Sequence, residues 1–160
     1  MKRTSFADMD CSIARTLEVI GEWWTMLILR ESFNGVRRFD GFQERLGIAR
    51  NVLAARLQRL VDTGILERRR YQERPERFEY RLTDKGRDLY PVLMSCLRWG
   101  DKWAVTEAGP PVLFTHKCGH APGMILTCQH CGDEINPRDV EVRRRDGTPG
   151  IRGGRVAAKG

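Results

Sequence analysis

The chain has 160 residues, 28 of them Lys or Arg and 21 Asp or Glu, so its formal charge is +7. A polyanionic partner is expected, nucleic acid first and an anionic membrane surface second. The length allows one ordinary core with a small appendage rather than two full domains, and 41% hydrophobic against 31% charged residues of both signs excludes a disordered polycation.

Stretches such as residues 23–29 fall far short of the ~20 apolar residues of a membrane span. The basic start Met1-Lys2-Arg3 runs into Asp8 and Asp10 without a cleavable apolar segment. A cytoplasmic protein without a membrane partner is expected. Five cysteines, three of them within residues 118–131, fit a secreted disulfide scaffold poorly and direct attention to metal or redox chemistry.

In chain order, Ser12 caps a first helix whose Ile13, Leu17 and Ile20 share a face and which Gly21 stops. Residues 23–33 are apolar nearly all round, save Thr25, Arg30, Glu31 and Ser32, and read as the central helix of a small bundle. Gly35 ends that helix. Arg38-Phe39 reads as a very short strand, and Asp40 as the cap of a helix of at most about two turns over residues 41–46.

Within residues 49–62, Leu53, Leu57, Leu60 and Val61 make one apolar stripe. The opposite side carries Asn51, Ala55, Gln58 and Arg59, with Arg50 in the first turn. This face of amides and guanidiniums, with one small residue permitting close approach, suits a major groove: Asn51 and Gln58 match adenine, and Arg50 or Arg59 matches guanine or phosphate. The plain alternative is a solvated helix face.

Residues 65–71 and 78–82 form a hairpin in which Phe78, Tyr80 and Leu82 face inward while Glu79 and Arg81 point away. Residues 67–81 hold six Arg and four Glu, a net of only +2, so a solvated strand pair is one reading. The other places Arg74 and Arg77 at a tip around Pro75, aimed at phosphate or a narrow minor groove, with Arg68, Arg69 and Arg70 in reserve. Thr83 or Asp84 then caps a long helix from Lys85 that bears Leu89, Val92, Leu93, Cys96, Leu97 and Trp103. Pro91 is a kink or a tight join within it, and Cys96 is expected as inert packing.

The order helix, helix, short strand, helix, helix, hairpin defines a mainly α fold with a small β-hairpin wing, the winged helix-turn-helix. The composition shifts near 108–111, giving a winged helix-turn-helix domain over residues 1–108, to which the resemblance given below assigns DNA binding and dimerisation, a Cys/His-rich extension over 109–142, and a basic tail over 143–160 expected to be disordered. In the extension, Cys128-Gln129-His130-Cys131-Gly132 is a Cys-x-x-Cys-Gly knuckle suited to one tetrahedral metal. Zinc bound there would need Cys118 and a fourth ligand, His116 or His120. His116 is preferred because His-x-Cys-Gly partly mirrors the other knuckle. A metal-free hairpin with reduced thiols, or a redox-active Cys128/Cys131 pair, is the alternative.

At the level of residues the match is closer. It runs through Cys11-Ser12-Ile13-Ala14-Arg15-Thr16-Leu17-Glu18-Val19-Ile20-Gly21, Trp24-Thr25, Leu27-Ile28-Leu29-Arg30-Glu31 and Arg37-Arg38-Phe39. Leu53, Arg56-Leu57, Leu60, Gly64-Ile65-Leu66, Glu79-Tyr80, Leu82-Thr83 and Gly86 extend it. Over about residues 11–105 the chain resembles an HxlR-type member of the MarR-like winged-helix transcriptional regulators.

The resemblance implies a homodimeric repressor or activator whose terminal helices form the dimer interface. Paired recognition helices would then read a pseudo-palindromic duplex, about 34 Å or one DNA turn apart. It also implies, as in some family members, an N-terminal cysteine that senses quinones, aldehydes or oxidants. Cys11 stands at that position, ahead of a helix whose free N–H groups favour anionic sulfur; a small thiol buried in the dimer interface is its other reading. Where the family usually has Gly-Lys-Trp-Thr, this chain has Glu22-Trp23-Trp24-Thr25, which exchanges a positive charge for an aromatic ring.

Two rival functions remain on sequence grounds. One is a metal-binding, Cys/His-rich protein-interaction module on a helical dimer scaffold. The other is a thiol oxidoreductase using Cys128 and Cys131. An enzyme is not expected, because no Ser/His/Asp set, phosphate loop or carboxylate pair is present.

Overall fold

The computed structural model describes residues 5–6 and 8–146. The chain divides into two units, Met1–Pro111 and Val112–Gly160. The first holds α1 (Ser12–Ile20), α2 (Thr25–Phe33), α3 (Phe39–Leu46), α4 (Arg50–Asp62), β1 (Leu66–Gln72), β2 (Arg77–Leu82), α5 (Asp84–Arg87) and α6 (Tyr90–Trp103). This is the winged helix-turn-helix arrangement, with β1 and β2 as an antiparallel wing. No helix among the described residues is long and apolar enough to cross a membrane.

The core is built by α2. Its Ile28 and Leu29 are buried together with Ile20, Phe42, Ile48, Leu53, Leu57, Leu60, Ile65 and Leu66, and α2 packs against α3, α4, α6 and β2. Spacings of four and three residues bring Leu53, Leu57 and Leu60 onto the inner side of α4, where each is at most 1% exposed. Ten apolar side chains removed from water at one locus supply most of the drive for folding.

The α3-to-α4 turn is set by Gly47, whose φ of 61° lies in the left-handed region that glycine enters without strain. Its N–H closes α3 onto the Gln43 carbonyl at 2.9 Å. Ile48, 3% exposed, then inserts into the core and fixes the entry of α4.

Several local expectations are corrected. Cys11, not Ser12, is the N-cap residue of α1, and it makes no side-chain capping bond. Arg38 rather than Asp40 occupies the N-cap position of α3, which leaves Asp40 inside the first turn beside the positive end of the helix dipole. The short strand at Arg38-Phe39 reduces to Arg38 alone, bridged to Glu79, because Phe39 already opens α3.

The long helix from Lys85 is two helices. Thr83 caps the single turn α5 by accepting the Gly86 N–H at 3.1 Å, and Pro91 falls in the first turn of α6, where its missing N–H costs nothing. Pro91 therefore acts as a join, not a kink. The inward and outward alternation of β2 is also blurred. Glu79 and Arg81 are half-buried like their neighbours, held by an ion pair of 2.7 Å between them and by the Arg38 bridge.

Among its described residues the second unit has reverse turns in place of helices or strands. Thr127 bridges Glu134, and the Ile135 N–H donates to the Leu126 carbonyl at 2.7 Å. Of the tail expected over residues 143–160, residues 147–160 lie outside the described residues.

Candidate nucleic-acid interface

The outer face of α4 collects the side chains that the sequence singles out. At 100° per residue, Gln58, Asn51 and Ala55 fall within an arc of about 60°, with Arg59 beside them and Arg50 toward the edge. All five are exposed, as is Ala54, so the two alanines leave a low patch between the amide and guanidinium side chains. Arg50 is steered by α3, its guanidinium lying 4.9 Å from the Phe39 ring centroid. Gln58 Nε2 donates to Asp62 Oδ1 at 2.7 Å. A carboxamide has two N–H donors and one oxygen, so Gln58 keeps one donor and its acceptor, the pair that an adenine edge requires.

Behind this strip Arg56 turns inward. It pairs with Glu22 at 2.6 Å, with side chains 27% and 24% exposed, and thereby ties α4 to the connection between α1 and α2. Its buried Nε has no hydrogen-bond partner among the described residues, and the Glu22 pair makes Arg56 a structural strut rather than part of the exposed strip. The sequence offered Arg56 only as part of the family match. Its inward direction follows from its place beside Leu57 and Leu60 on the helix.

The wing has a basic tip for a reason that composition conceals. Residues 73–77 contain two Arg and two Glu, a net of zero. Arg70, however, draws both carboxylates, lying 3.6 Å from Glu73 and 3.6 Å from Glu76. Arg69 pairs with Glu67 at 2.6 Å, and Arg68 stacks 3.5 Å from the Phe78 ring centroid. Arg74 and Arg77 are exposed and take no ion pair among the described residues. The register shift between Arg70 and Gln72 releases Tyr71 from the ladder, and its ring receives Arg38 at 4.6 Å. Arg38, read from the sequence as a strand residue and as part of the family match, thus adds a cation beside the wing.

A second surface is apolar. A groove of about 560 Å³ is lined by Ile13, Leu17, Trp23, Met26, Val92 and Cys96 among others. Ile13 is 72% and Trp23 93% exposed. Cys96, expected as inert packing, is exposed and lines this apolar groove in the single chain. Cys11 is exposed at the start of α1.

In the second unit, His116 Nδ1 lies 3.1 Å from Cys118 Sγ. The Cys128 thiol is held below its ordinary range first by the N–H of Cys131, then by the N–H of His130 and the Cys131 side chain, with burial acting in the opposite direction. Among the described residues no three His, Cys, Asp or Glu side chains stand together as a metal cage. The four expected ligands Cys118, Cys128, Cys131 and His116 therefore occur as two pairs.

These features agree with comparisons to known proteins. The HxlR-like helix-turn-helix family model matches residues 19–108. An uncharacterized HTH-type transcriptional regulator of Mycobacterium bovis is 48% identical over 130 residues, spanning 81% of this chain and 82% of the relative. The crystal structure of PA1607, a proposed transcription factor, is 37% identical, with a TM-score of 0.61 over 91% of this chain and 92% of that one. The redox regulator HypR in its reduced form is 31% identical, with a TM-score of 0.55 over 57% of this chain and 92% of that one. With its winged core, its Gly47 turn and these relatives, the chain belongs to the HxlR-like helix-turn-helix family of transcriptional regulators.

Proposed function

We propose that this regulator binds a pseudo-palindromic duplex operator as a homodimer, reading base edges with α4 and gripping phosphate or minor groove with the wing. One observation carries the reading: the exposed strip of Asn51, Ala55, Gln58 and Arg59 on α4, flanked by a wing whose exposed tip cations Arg74 and Arg77 take no ion pair among the described residues. The strip supplies direction-specific donors and acceptors for a major groove, and the tip supplies charge without sequence preference. The apolar groove between α1 and α6 supports pairing with a second copy, because an exposed patch with Trp23 and Ile13 at its rim costs free energy unless covered.

The test is fluorescence anisotropy of the purified protein against duplexes selected from its own genome and against random duplex, at moderate salt. Operator affinity should exceed random affinity by at least about 10³-fold; equal affinities reject the proposal.

A thiol response through Cys11 is the finer reading. It rests on an exposed thiol at the N-terminus of α1 and on the likeness to a redox regulator known in reduced and oxidised forms. Cys11→Ser should keep operator affinity while abolishing its loss on treatment with a quinone or peroxide. Equal responses of the two proteins reject a role for Cys11.

A further inference from the structure

Two cation–ring contacts on consecutive residues join α4 to the wing. The Arg50 guanidinium of α4 lies 4.9 Å from the Phe39 ring centroid, and the Arg38 guanidinium lies 4.6 Å from the ring centroid of Tyr71 in the wing. Phe39 opens α3, and Arg38 is its N-cap residue. The row Arg50, Phe39, Arg38, Tyr71 therefore spans the gap between the helix that presents Asn51 and Gln58 and the hairpin that carries Arg74 and Arg77.

The backbone holds Arg38 at this place. The Arg37 carbonyl accepts the Tyr80 N–H at 2.7 Å, and the Arg38 carbonyl accepts the Phe42 N–H at 3.1 Å, so β2 grips the chain on one side and α3 on the other. Arg38 stands opposite Glu79, and Glu79 stands opposite Arg69, which puts all three on one face of the hairpin. Tyr71, two residues beyond Arg69, returns to that face. The register shift between Arg70 and Gln72 leaves it out of the ladder, and its ring is exposed to receive the cation.

Glu79 does not neutralise Arg38, because its carboxylate is paired with Arg81 at 2.7 Å. Arg38 is exposed and takes no ion pair among the described residues. A guanidinium laid over a ring uses its face for that contact, and the N–H donors at its edge stay available for the oxygens of a phosphodiester. Arg69, Arg70 and Arg81, by contrast, are each engaged with carboxylates.

In duplex DNA one sugar–phosphate strand separates a major groove from the adjoining minor groove. With α4 in the first and the wing tip at the second, that strand crosses the gap that Arg38 occupies. Resting on the operator reading above, we infer that Arg38 contacts a phosphate of this strand, and that Tyr71 is the positioning residue that holds the guanidinium there. The contact reads no base; it fixes the register in which α4 enters its groove. The bulge in β1 thereby acquires a role, since without it Tyr71 would be a rung of the ladder.

The test is fluorescence anisotropy of the full chain on duplexes selected from its own genome and on random duplex, over a series of salt concentrations. Arg38→Ala and Arg38→Gln should weaken binding to both about tenfold or more and reduce the slope of log affinity against log salt by about 1, with the urea midpoint unchanged. Arg38→Lys should keep the slope. Tyr71→Ala should weaken both about two- to fivefold and Tyr71→Phe neither, and Arg38→Ala should cost less in the Tyr71→Ala protein than in wild type. Arg37→Ala removes an equal charge from the neighbouring position and should move the slope by less than half as much. An uncharged methylphosphonate, placed in turn at each phosphate between the half-site and the flanking minor groove, should mark one position at which wild type and Arg38→Ala bind alike.

The inference is overturned by an unaltered slope in Arg38→Ala, by an equal effect of Arg37→Ala, by equal losses in Tyr71→Ala and Tyr71→Phe, or by a change confined to one base pair. A phosphate contact shows on random duplex as well, so these outcomes are read whether or not wild type prefers its operator. Failure of the operator reading is equal affinity of wild type for the two duplexes, a separate result.

Discussion

Asn51 and Gln58 point outward from the same arc of α4, yet they are held differently. Asn51 is exposed, whereas Gln58 is oriented by its hydrogen bond to Asp62. A side chain oriented before binding loses less rotamer freedom on contact with a base. Gln58→Ala is therefore expected to relax discrimination at one operator position by about 1–3 kcal/mol, measured as the affinity ratio between cognate and single-substituted duplexes. The tip arginines act otherwise. Arg74→Ala and Arg77→Ala should each weaken binding to cognate and random duplex alike, and each should reduce the slope of log affinity against log salt by about 1. A specificity change at one base with an unaltered salt slope would place these residues outside phosphate contact.

Between elements, the strength of the joints decides how firmly the reading face is held. Glu31 on α2 is buried at 5%, and it pairs with Arg30 at 2.7 Å and with Arg45 of α3 at 3.3 Å. A buried carboxylate is tolerated only with such partners, and here it fixes α3 against α2. The join from wing to α5 depends on Gly86, where a Cβ would lie 2.2 Å from the Ile65 carbonyl oxygen and 3.0 Å from Leu82 Cδ2. Backbone cannot yield that distance without moving β1, so Gly86→Ala should destabilise the fold by about 1–3 kcal/mol. Leu57→Ala removes a fully buried side chain from the α4 stripe and should cost about 2–5 kcal/mol. Both are read from the urea midpoint with the m-value unchanged. Unaltered midpoints would mean that neither site is as tightly packed as its geometry requires.

For the molecule as a whole, the apolar groove of α1, Trp23 and α6 is the surface that the proposed second copy would cover. Ile13 contributes to its rim without supporting the core, being 72% exposed. Ile13→Glu is accordingly expected to leave the unfolding transition in place while shifting sedimentation velocity toward the monomer and lowering operator affinity. A variant that remains dimeric would move the interface elsewhere. Trp23, 93% exposed and part of the groove lining, enlarges that apolar surface rather than the basic one.

The sequence by itself determined the helices, the hairpin and the candidate reading face, because each depends on local period. Leu53, Leu57 and Leu60 repeat at helical spacing, and whatever lies opposite such a stripe faces outward. Element limits were less legible: whether Arg38 or Asp40 occupies the cap, or whether residues 84–103 form one helix or two, depends on neighbours that lie far along the chain. Glu79 holds Arg38, and Ile65 restricts Gly86.

Only the tertiary structure decided how charges and apolar faces are shared out. It sent Arg56 inward to Glu22, gave Glu73 and Glu76 to Arg70 and so left Arg74 and Arg77 without an ion pair among the described residues, and brought Ile13 and Trp23 to the surface. A local pattern records which residues alternate with which. Ion pairing and burial depend on distances between segments, and those exist only after the core has closed.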